Sequence, residues 1–99
     1  MQISESREGE VITLKIEGRV DTNSSPKLQE IILKSFQKVN QVVLDLQTCT
    51  YVSSAGLRVL LIGQKTAAAQ NGTMKLIHVP EILMSVLKLS GFLKFLTIE

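Results

Sequence analysis

The stretch QVVLDLQTCTYVSSAGLRVLL, residues 41–61, changes its periodicity partway along. Its first six residues are almost continuously apolar and β-branched, the pattern of a strand covered on both faces. From Ser54 to Gln70 helix formers dominate, with Leu57, Leu60, Leu61, Gln64, Ala67 and Ala68 at helical spacing. Between the two, after a short TCTYV extension, a pair of serines, an alanine and a glycine make a turn. A buried strand running into an amphipathic helix is half of a βαβ unit, so the stretch predicts an α/β fold with a mostly parallel sheet.

The flanks extend this reading in both directions. Downstream, Asn71-Gly72 supplies a left-handed helix stop and MKLIHV at 74–79 reads as the next strand. Pro80 opens a third helix with Leu83, Val86, Leu87 and Ser90 on its inner side, Gly91 ends it, and KFLTI at 94–98 reads as a last strand. Upstream, TNSSPKLQEIILKSFQKV at 22–39 begins with capping residues and places Pro26 in a first helical turn. It then sets Leu28, Ile31, Ile32, Phe36 and Val39 on one face. VITLKIEG at 11–18 alternates Val11, Leu14 and Ile16 with Thr13, Lys15 and Glu17 as a strand with one wet face, and residues 2–7 pair with it across Glu8-Gly9-Glu10. The order is β-β-α-β-α-β-α-β: a central, mostly parallel sheet of four to five strands, an N-terminal hairpin and three to four helices joined by right-handed crossovers.

Composition bounds what such a fold does. A chain of 99 residues is expected to form one domain over residues 1–99, burying roughly two thirds of its unfolded surface around one core. Eleven basic residues scattered among nine acidic ones give a net charge of +2, which argues against a dedicated nucleic-acid groove. No apolar run approaches the ~20 residues that cross a bilayer, so no membrane insertion is expected. A single cysteine and no recognisable leader point to the cytoplasm.

The serine turn falls at the carboxyl end of a parallel strand, where open α/β sheets place their sites. One reading is purely structural: a serine at the helix start caps an orphan N–H. The other is functional, because free amides and the positive end of the helix dipole favour an anion, and a phosphoryl group added there would be accommodated. Ala55 and Gly56 leave space for another protein's active site to approach.

EGRVD at 17–21, VVLDL at 42–46, YVSSAGL at 51–57, the Asn71-Gly72 turn and LKLSGFLKFLTI at 87–98 together resemble the STAS domain, shared by bacterial anti-sigma factor antagonists and the cytoplasmic ends of sulphate transporters. The resemblance implies a regulatory binding module. In that family the serine two residues before the motif glycine, here Ser54, is phosphorylated by a partner that is both serine kinase and anti-sigma factor. The unphosphorylated protein captures that partner and a serine phosphatase resets the cycle. The resemblance also implies a partner contact at Asp21, and the residues around these two positions, Thr22, Asn23, Ser53, Ala55, Gly56, Arg58 and Ile62, are the other expected partner contacts. Where the family's best-known motif reads Asp-Ser-Ser-Gly, this chain has Ser53 for the acid and Ala55 for the second serine. Stand-alone domains of this kind also serve as adaptor subunits of lipid-transport ATPases and stress-sensing assemblies, a role in which Ser54 need not be modified.

Other residues carry weaker signals. Asp21 either contacts a partner or simply ends its strand in a turn leading to a helix. Arg58 and Lys65 fall on the outer side of the second helix as solvated charges or as neighbours of a phosphate. Val59 and Ile62 lie off the main apolar stripe, marking either a broadly buried helix or a docking patch. His78 and Cys49 lack partners at metal or catalytic spacing, so they read as structural, and no metal or cofactor is expected. No Ser-His-Asp set, P-loop or paired carboxylates support an enzyme.

Overall fold

The structure, a computed structural model, describes residues 1–99. Its elements in chain order are β1 (Gln2–Glu8), β2 (Val11–Val20), α1 (Ser25–Lys38), β3 (Gln41–Asp45), β4 (Cys49–Val52), α2 (Ser54–Ala69), β5 (Thr73–Ile77), α3 (Glu81–Ser90), a 3-10 turn (Phe92–Phe95) and β6 (Thr97–Ile98). The strands run in the order β1-β2-β3-β5-β6, with β4 also pairing β2. Only β1 and β2 are antiparallel, joined at Glu8↔Val11 by a two-residue turn in which Gly9 takes φ 61. The other pairings, β2 with β3 and β4, β3 with β5, and β5 with β6, are parallel, as the helical connections require.

Register explains the core. Ile12, Val42 and Met74 line up across β2, β3 and β5, and so do Leu14, Leu44 and Leu76; all six are 0% exposed. The alternate residues Thr13, Val43 and Lys75 form a row that is only half-buried. The sheet is therefore sealed on one face, and the expectation that β3 is covered on both is corrected: α1 and α2 pack against each other and supply Leu28, Ile32, Leu57 and Leu60 to the same side. Along β2 the inward residues are Ile12, Leu14, Ile16 and Val20, with Val11 half-exposed at the start of the strand.

Two further corrections follow from pairing. The segment read as an extension of β3 is a separate strand, because β2 is ten residues long and accommodates both: Val11–Lys15 pairs β3 and Gly18–Val20 pairs β4, with a bulge at Gly18/Arg19 that leaves Thr50 of β4 unpaired. The connection from β3 to β4 is tied down by Leu46 N–H to the carbonyl of Ile77, Cys49 N–H to that of Leu46, and Gly18 N–H to that of Thr48. The expected strand KFLTI is mostly a 3-10 turn, since Gly91 at φ 80 redirects the chain and Phe92 and Leu93 fold back on the core, leaving two residues to pair. In α3, Leu83 and Leu87 face inward as expected, whereas Val86 and Ser90 do not.

Close approaches fix how the elements sit. A Cβ at Gly72 would strike the carbonyl oxygen of Asn40, which accepts from Thr73 N–H at 2.8 Å. From the end of α2, the side-chain amide of Gln70 donates to the carbonyls of Phe36 and Val39 and to Asn40 Oδ1, at 2.9–3.2 Å, closing the carboxyl end of α1.

Candidate functional site

Which serine caps α2 is settled by geometry. Ser53 is the N-cap, in extended conformation, and its Oγ accepts from Gly56 N–H at 3.1 Å. It is 8% exposed. Ser54 is the first helical residue, exposed to solvent, and its hydroxyl takes no part in the cap. The capping role that the sequence left open at this turn thus falls on Ser53, and the Ser54 hydroxyl is left outside it. The first α2 bond within the helix is Leu57 N–H to Ser53 O, so the amides of Ser54 and Ala55 point outward without an intrahelical acceptor. No acidic residue occupies this first turn.

Gly56 carries a packing constraint. A Cβ there would lie 2.7 Å from Val52 Cγ1 and 2.9 Å from Val20 Cγ1. The helix start thus rests directly on the paired ends of β2 and β4, where Val20↔Val52 are in register and Ser53 N–H donates to Val20 O at 2.8 Å. Ser53 and Gly56, expected on a contact surface, lie inside; their work is to hold Ser54 in place.

The same pairing brings in the loop after β2. Asp21 N–H donates to Ser24 Oγ, while Ser24 N–H and Oγ donate to Asp21 Oδ1, all at 2.9–3.0 Å. This reciprocal turn leads the chain into α1, with Pro26 in the first helical turn. The Ser24 amide and hydroxyl hold the Asp21 carboxyl below its ordinary value. Thr22 and Asn23 are exposed at the tip. Along α2, Ser54, Arg58 and Ile62 follow one another at four-residue spacing on one exposed ridge, Ile62 being 37% exposed and Val59 4%. Val59 thus belongs to the core and Ile62 to the surface. Ala55 is half-buried.

Sequence reasoning missed a groove beside this ridge. It has a volume of about 270 Å³, runs between the β4–α2 turn and α3, and is walled by Tyr51, Ser54, Leu57, Ile82, Leu83 and Val86. Arg19 stacks its guanidinium over the Tyr51 ring, 4.3 Å from the centroid. At its rim Ile82 is 81% exposed, and beyond it on α3 Leu89 is 89% exposed. The signal was present: Ile82, Val86 and Leu89 recur at i, i+4 and i+7, a second apolar stripe on α3 beside the buried one.

The remaining polar groups are structural in geometry. Burial pushes the Asp45 carboxyl up, but Gln47 N–H and the His78 ring, with Nδ1 at 3.1 Å, leave it below its ordinary value. His78 itself adopts φ 54 just after β5. Burial raises the Cys49 thiol above its ordinary value, which keeps it protonated and unreactive. No three His, Cys, Asp or Glu side chains are grouped to hold a metal ion, and no helix is long and apolar enough to cross a membrane.

Comparison with known proteins agrees with this architecture. The family model described as "Mlab, STAS domain" matches residues 3–97. BtrV of Bordetella bronchiseptica, proposed there as an anti-sigma factor antagonist, is 33% identical over 79 residues, covering 79% of this chain and 68% of its own. A STAS-domain protein of Pseudomonas aeruginosa is 25% identical over 87 residues, covering 88% and 86%. Among solved structures, a Thermotoga maritima protein, proposed as an anti-sigma factor antagonist, superposes with a TM-score of 0.89 at 16% identity over 97% of this chain and 84% of its own. The anti-sigma factor antagonist SpoIIAA in its unphosphorylated form superposes with 0.79 at 14% identity over 99% and 87%. At such identities the structures establish the fold. With a family model spanning nearly the whole sequence and a relative 33% identical over 79 residues, this chain belongs to the STAS-domain family that includes the bacterial anti-sigma factor antagonists.

Proposed function

We propose that the chain is a cytoplasmic anti-sigma factor antagonist, a non-catalytic single-domain switch that captures a serine-kinase anti-sigma factor and is released when Ser54 is phosphorylated. One observation carries the reading: Ser53 caps α2, which leaves the Ser54 hydroxyl exposed beside two open amides. A kinase can reach that hydroxyl without disturbing the helix. In the transfer, Ser54 Oγ bonds to the γ-phosphorus of ATP, the bond to ADP breaks, and the hydroxyl proton passes to the kinase. A serine phosphatase hydrolyses the ester. The phosphoryl group adds about −1.5 to −2 charges at the positive end of α2, where the fold tolerates them and a docked partner meets an altered surface. Half-buried Asp21 with exposed Thr22 and Asn23 forms the neighbouring loop, Ala55 follows the acceptor, and Arg58 and Ile62 continue its ridge along α2.

The test is mass spectrometry after incubation with the cognate kinase and ATP. Wild type and Ser53→Ala gain one phosphate, on Ser54, and Ser54→Ala gains none while still binding the kinase. Unchanged wild-type mass overturns the switch.

A second reading, an adaptor subunit of a lipid-transport ATPase or a stress-sensing assembly, is favoured by the apolar stripe on α3, which would dock a partner without any modification. The same assay separates the two, since an adaptor binds its assembly and takes no phosphate.

A further inference from the structure

The groove next to Ser54 has the size and lining of a socket for protein side chains. Its roughly 270 Å³ falls below the ~300–1,000 Å³ usual for small-molecule sites, and its walls are mainly apolar. It continues outward onto Ile82 and Leu89, two of the most exposed large apolar side chains in the molecule. Charged neighbours are mainly basic. Arg58 stands one turn along α2 from Ser54, and Arg19 covers the Tyr51 wall. The acid on this side is Asp21, whose Oδ1 is occupied by Ser24.

We infer that this groove, together with the Ile82–Val86–Leu89 stripe, receives an amphipathic helix of the partner that carries an apolar ridge and an acidic flank turned toward Arg58. The inference rests on the reading of Ser54 as the switch and supplies its physical sign. Ser54 is part of the groove wall, so a phosphoryl group there meets the acidic flank at close range and competes with it for Arg58. A second copy of this chain fits less well, because it brings the same cations to the seam. A bilayer fits less well because a flat surface does not fill a socket between two helices.

The probe is a synthetic helical peptide with a leucine ridge flanked by glutamates, titrated against the full chain and followed by backbone amide shifts in NMR. Supporting results are shifts centred on Tyr51, Leu57, Ile82 and Val86, and a loss of affinity on the order of tenfold or more for Ile82→Glu. A lysine-flanked version of the peptide should bind correspondingly less. Ile82 is exposed, so its variant keeps the fold, which unchanged amide dispersion verifies. Equal binding of the two peptides, shifts elsewhere, binding to phosphatidylglycerol vesicles in place of the peptide, or self-association abolished by Ile82→Glu each overturn the inference. Phosphoserine installed at position 54 should weaken the peptide on the order of tenfold again. Groove binding that ignores this phosphate upholds the socket and removes its link to the switch. Kinase labelling of Ser54 in a chain that takes no peptide upholds the switch and removes the socket.

Discussion

Two helices begin side by side at the carboxyl ends of β2 and β4, and they begin differently. At the start of α1, Asp21 and Ser24 satisfy each other, so the hydroxyl and the inner carboxylate oxygen are both engaged. At the start of α2, Ser53 alone completes the cap and the next hydroxyl is left over. The first pair satisfies the amides of Asp21 and Ser24 ahead of the helix, whereas Ser53 caps the Gly56 amide within it. The second turn leaves the Ser54 hydroxyl exposed and outside the cap, so on the proposed reading it could be modified without loss of the fold.

Substitutions can break this contrast in order of size. Gly56→Ala should be the most damaging, since two buried valines stand under 3.0 Å from the new Cβ. Overpacking costs about 1–3 kcal/mol and up to about 1 returns as helix propensity, so a net loss of about 2 kcal/mol is expected in chemical denaturation. Ser53→Ala should lose about 1 kcal/mol as a cap, again read from the denaturation midpoint. Asp21→Asn should cost less and act mainly through pH. The Asp21 pKa is lowered in the fold, so its stabilisation is present above the ordinary value of 3.8 and fades as pH falls through that value and below. Thermal melts from neutral pH down to pH ~3 should therefore show a shallower acid decline in the variant than in wild type. Ser54→Ala comes last, within about 0.5 kcal/mol of wild type, as expected of an exposed site without a partner. A loss at Ser54 equal to that at Ser53 would mean that the second hydroxyl also serves the cap, and the contrast would collapse.

That last value differs from what the sequence suggests, and the reason is physical. Ser53 and Ser54 are equally good capping residues by type, and a shift of one residue in the helix start exchanges their roles. The register is set by contacts far away in sequence, the Val20↔Val52 pairing and the seat of Gly56 upon it. Periodicity revealed the hairpin, α1, the β3-to-α2 passage and β5, because each has a long pattern with clear stops. It did not reveal the break between β3 and β4, which arises from sharing one long partner strand. Nor did it reveal the collapse of KFLTI into a 3-10 turn, since a short apolar run carries no decisive period. The groove went unread for a related reason: Val86 was assigned inward along with Leu87, although consecutive helical residues point about 100° apart and the two belong to different stripes of α3.

β2 touches three other strands, and that has a bearing on how the protein breathes. Its amides from Ile12 to Lys15 lie in the interior of the sheet, between β1 and β3, with side chains that are fully buried at alternate positions. Deuterium should enter this strand last, and protection there should approach the free energy of global unfolding. The Ser53 amide, bonded to Val20 at the far end of the same strand, ties the serine turn to that slow-exchanging spine.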